Sequence, residues 1–97
     1  MPSTNRLTEA EQIAETLGVV LGAVAHCELV TEDRFNAVAE KVKNVVLARA
    51  NDPADAEAAS ERLTAAVEAG RTVAESGRID PDMAETAFIE MEDRLLT

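Results

Sequence analysis

Residues 8–28 read TEAEQIAETLGVVLGAVAHCE, and this stretch decides the fold. Thr8 places a hydroxyl just ahead of an apolar run, and Glu11 follows three residues later, the pairing that caps free N–H groups at a helix start. Ala10, Ile13, Ala14, Leu17, Leu21, Val24 and Ala25 then recur at steps of three and four, which lays them along one helical face. From Leu17 to Ala25 the other faces are apolar too, through Gly18, Val19, Val20, Gly22 and Ala23. A helix that is apolar all round is buried on more than one side.

The same start signal recurs three more times. Thr31 precedes the stripe Phe35, Val38, Ala39, Val42, Val45 and Val46, with Val30 and Phe35 spaced as a hydrophobic staple. Asp52-Pro53 precedes Ala56, Ala59, Leu63, Ala66, Val67, Gly70, Val73 and Ala74, and Gly77 suits the left-handed residue that closes such a helix. Asp80-Pro81 precedes Ala84, Ala87, Phe88, Met91 and Leu95. Gly70 lies on its stripe, and because the period continues through it we expect one helix there, crossed closely by a neighbour. Helices are thus expected near 8–28, 31–50, 52–76 and 80–96. They predict an all-α fold, a four-helix bundle-like arrangement of two antiparallel helical hairpins. Residues 1–6 read as a flexible N-terminal tail and 7–97 as a single helical domain. A faint internal echo sets Glu11, Glu15 and Leu17 against Glu57, Glu61 and Leu63, and Val30-Thr31 against Ile79-Asp80. Duplication of a hairpin would produce it, and so would repeated capping chemistry.

Composition narrows the function classes. The 97 residues suffice for one core, and an apolar fraction of 46% is that of a folding chain. Aromatic residues make up 2%, Phe35 and Phe88 alone, which leaves nothing to stack on bases or sugars. The net charge of −10, from 19 acidic and 9 basic residues, opposes nucleic acid and anionic membranes and favours a basic partner. Arg34, Lys41 and Lys43 are too few and too scattered to form a nucleic-acid surface. Cys27 is alone, so no intrachain disulfide forms. Met1 to Leu7 lacks a signal-peptide layout, and the run Leu17 to Ala25 is far short of the roughly 20 residues that span a bilayer. We expect a soluble cytoplasmic protein.

Little in the chain carries chemistry. His26, Cys27 and Glu28 are adjacent, but successive helical residues point about 100° apart and cannot close on one ion. No metal site and no cofactor is expected. The acidic pairs Glu32-Asp33, Asp80 with Asp82, and Glu92-Asp93 fall mostly at helix starts, where carboxylates meet the positive end of the dipole. Gly18 and Gly22 form a strip on which another backbone can rest, either within the bundle or across a subunit boundary. We take Gly18, Val19, Gly22, Ala23 and His26 as the candidate interface of a homodimer.

The expected function is a non-enzymatic protein–protein interaction module, an adaptor or regulator binding a basic partner. Two alternatives come from other classes. A lone histidine in a small acidic helical chain resembles the histidine phosphotransfer family, which implies a phosphoryl carrier on His26. At the next turn that family has Lys and Gly, where this chain has Leu29 and Val30. The third reading is a nucleic-acid-mimicking inhibitor built from carboxylates.

Overall fold

The computed structural model describes residues 7–96, in which the four start signals open four helices. These are α1 (Glu9–Cys27), α2 (Glu32–Arg49), α3 (Pro53–Glu75) and α4 (Pro81–Leu96). The N-terminal tail 1–6 lies outside the described residues, as does Thr97. Each cap is satisfied as its chemistry requires. Thr8 Oγ1 accepts from Glu11 N at 3.2 Å while Thr8 N donates to Glu11 Oε1 at 3.1 Å, the complete capping box. Thr31 Oγ1 accepts from Arg34 N at 3.3 Å, and Asp52 Oδ1 from Asp55 N at 2.8 Å. Asp80 Oδ1 accepts from Asp82 N at 2.9 Å.

The core is built from aliphatic stripes and one aromatic ring. Val38, Val42 and Val46 of α2 meet Ala10, Ala14, Leu21 and Val24 of α1, and α4 adds Ala84, Phe88 and Met91. Phe88 is fully buried and is the largest such side chain, worth about 2–3 kcal/mol by area. α1 and α2 run antiparallel, since Arg49 at the end of α2 reaches Glu9 at the start of α1 at 3.5 Å.

The all-α, bundle-like class is as expected, and the pairing within it differs in one respect. The tightest pair is α1 with α3, helices that are not consecutive in sequence, while α3 and α4 make no contact among the described residues. Only the first half of the chain is thus a packed hairpin. α1 and α3 are parallel, because their partners advance together: Thr8 with Asp55, Glu15 with Arg62, Gly18 with Ala66, Gly22 with Val67 and Arg71.

The internal echo survives in the turns alone. Glu28 and Gly77 both adopt left-handed backbone, with φ of 51° and 79°. In each turn the next residue donates back into the helix, Leu29 N to Val24 O at 3.4 Å and Arg78 N to Val73 O at 3.2 Å. An apolar residue and a cap then follow, Val30-Thr31 and Ile79-Asp80. Gly77 is the glycine the sequence assigned to this role. Glu28 performs it without glycine's freedom.

Candidate functional site

Gly18, Gly22 and Gly70 meet where α1 crosses α3. A Cβ on Gly22 would run into the backbone of Val67, with Arg71 N at 2.8 Å, and one on Gly70 would run into the Val19 carbonyl. A Cβ on Gly18 would lie 2.6 Å from Ala66 Cβ. Three missing side chains thus let two backbones touch, and this is why α3 continues unbroken through Gly70 despite the roughly 1 kcal/mol its glycine costs. It also corrects the candidate interface. α3 of the same chain occupies the strip, Gly18, Gly22 and Ala23 are buried there, and Val19 is half-buried against Gly70. A second subunit cannot reach Gly18 or Gly22 without displacing α3, while the Val19 side chain still lines an open hollow with Gln12 and Thr16.

His26 alone of that set is exposed, in the last turn of α1, where a cationic imidazole would meet the negative end of the helix dipole. The adjacent Cys27 is a half-buried free thiol. Among the described residues no group of three or more His, Cys, Asp or Glu side chains is placed to hold a metal ion. None of the described polar or charged residues is buried, so the sheltered pair of carboxylates that acid–base chemistry exploits is absent from this part of the chain. No described helix is long and apolar enough to cross a membrane.

Three of the described cations, Arg34, Arg49 and Arg62, hold helices together. Arg34 of α2 donates from Nε to Glu92 of α4 at 3.0 Å and from Nη2 at 2.6 Å, a forked pair, and lies 5.8 Å from the centre of the Phe88 ring. The hydrogen bonds from Arg34 hold the Glu92 carboxyl below its ordinary value, and those same bonds raise the guanidinium. Arg62 of α3 reaches Glu11 at 3.7 Å and Glu15 at 3.3 Å, both on α1. Thr8 Oγ1, beyond its capping role, donates to Asp55 Oδ1 at 2.7 Å and ties the starts of α1 and α3.

What remains outside is unbalanced negative charge. Glu57, Glu61, Glu68 and Glu75 all stand exposed on the face of α3 turned away from α1, and none forms an ion pair among the described residues. The row lies outside the sequence-based candidate residues, although its steps of four, seven and seven residues are visible in the chain. Several shallow hollows open on the described surface, two of them with apolar walls between helices. One, about 330 Å³, lies between α1 and α4. The other, about 340 Å³, has Val24, Val30 and Phe35 on its wall and Glu28, Glu32 and Arg71 at its rim. Comparison of the chain with models of known protein families, with curated proteins and with solved structures finds no match.

Proposed function

We propose that this chain is a small acidic helical interaction module, a non-enzymatic adaptor or regulator that binds a basic protein. The observation that supports this reading is the glutamate row of α3. At 1.5 Å per residue, Glu57 to Glu75 extends about 27 Å along one rigid helix, with Arg71 at its edge. Successive members from Glu61 on lie about 10 Å apart, comparable to the Debye length of roughly 8–10 Å at 0.15–0.1 M salt, so their fields overlap most at low ionic strength. The opposite face of α3 is clamped to α1 through Gly70, Ala66 and Arg62, which fixes the row in place. A fixed row of one sign steers encounter and sets orientation more than it adds raw affinity.

The test is affinity capture of a basic partner, followed by its association kinetics against wild type and Glu61→Gln/Glu68→Gln across a salt series. Both positions are exposed, so the fold is retained. The expected result is a severalfold slower association for the variant at low salt, converging with wild type at high salt. Equal rates at every ionic strength would defeat the proposal and reduce the acidity to a solubility device. If the captured partner binds DNA or RNA and the nucleic acid displaces the chain, the row acts as a nucleic-acid mimic.

A further inference from the structure

We infer that the groove between α1 and α4 is the seat of a second copy of this chain. Its walls are Thr16, Leu17 and Val20 from α1 and Ala87, Met91 and Leu95 from α4. It continues along α1 to Gln12 and Ile13, and along α4 past Ala87 to Met83, which is 70% exposed, with Asp82 closing that end. The groove exists because α4 packs on α1 and α2 without touching α3, which leaves one flank of α1 without a helical neighbour among the described residues.

Charge selects the occupant. Within the central groove the ionisable residues are Glu90 and Arg94, one of each sign, neither ion-paired among the described residues, and α1 contributes none. The centre of the groove is thus neutral on a chain of net charge −10, and with Asp82 at its end the whole strip carries −1. A basic partner finds a single carboxylate in excess here, against the four of the α3 row. A second copy, repelled wherever two acidic surfaces meet, approaches with least cost at this groove. Glu90 and Arg94 stand one turn apart, so a two-fold axis sets each copy's carboxylate against the other's guanidinium, a self-complementary arrangement that a symmetric dimer requires. The uncovered strip is about 18 Å long and two helices wide, which corresponds to roughly 1,000 Å² buried over both copies, the lower bound for a specific interface. Association is therefore weak and concentration-dependent. This inference stands independently of the glutamate row.

Sedimentation equilibrium of the full chain from about 10 μM to about 1 mM tests it. The expected result is a dimer at the upper end, weakened at least tenfold by Thr16→Arg and by Arg94→Glu, with Glu90→Arg/Arg94→Glu recovering association. Thermal melts of each variant confirm that it is folded. Glu61→Gln/Glu68→Gln should leave self-association unchanged, which separates this face from the α3 row. A wild type that stays monomeric throughout the range overturns the inference, and so does a dimer that Thr16→Arg leaves intact.

Discussion

Replacing Gly22 by alanine tests the α1–α3 crossing with one methyl group. In an isolated helix the change stabilises by about 1 kcal/mol, because glycine forfeits backbone entropy on folding. Here the new Cβ meets backbone on every near side: the Val67 carbonyl, Val67 C at 2.9 Å and Arg71 N at 2.8 Å. No rotamer change relieves a backbone clash, so α1 must back away from α3 and loosen the contacts around it. Overpacking of this kind costs about 3 kcal/mol, which leaves about 2 kcal/mol of net destabilisation after the propensity gain. For a domain of this size that lowers Tm by roughly 8–16 °C. Gly77→Ala is the control, since nothing lies within 4 Å of its Cβ and its φ of +79° is the only obstacle. It should cost about 1 kcal/mol. Thermal and urea unfolding followed by circular dichroism would read both. A Gly22→Ala variant that melts at or above wild type would refute the close crossing.

Glu28→Gly should stabilise the protein by about 1 kcal/mol, since Glu28 carries a side chain in left-handed backbone and a negative charge at the negative end of α1; an unchanged or lower denaturation midpoint would contradict that. Glu92 is held below its ordinary value of 4.5 by Arg34, so its charged form stabilises the fold above that pH, and the contribution is lost as pH falls through the lowered value. A Glu92→Gln variant should accordingly lose less stability than wild type between pH 6 and pH 3, and parallel pH curves would show the pair to be inert. Incubation with acetyl phosphate should leave His26 unmodified, because Leu29 and Val30 stand where a carrier has Lys and Gly; phosphate on His26 by mass spectrometry, lost in His26→Gln, would make the phosphoryl carrier the better reading.

The helices were legible because their signals are local. Thr8 with Glu11, Thr31, Asp52-Pro53 and Asp80-Pro81 each act within one turn, and each opens a helix where the sequence indicated. Helix pairing was harder to read, because it depends on which stripes meet across dozens of residues. The signal was nevertheless present. Gly18 and Gly22 make room on α1, and Gly70 makes room on α3. Read together, they name each other as partners. Glu28 was illegible for another reason: its left-handed turn has no glycine to announce it. The α1–α4 groove arises from the divergence of α3 and α4, which no local pattern encodes.

The most direct test of the proposed function is a titration of ¹⁵N-labelled chain with a basic partner recovered by affinity capture, followed by amide chemical-shift changes. The account predicts that the changes concentrate along α3 at Glu57, Glu61, Glu68 and Glu75 and fade as salt is raised. Changes centred on Leu17, Ala87 and Met91 in the α1–α4 groove, or changes indifferent to salt, would contradict it.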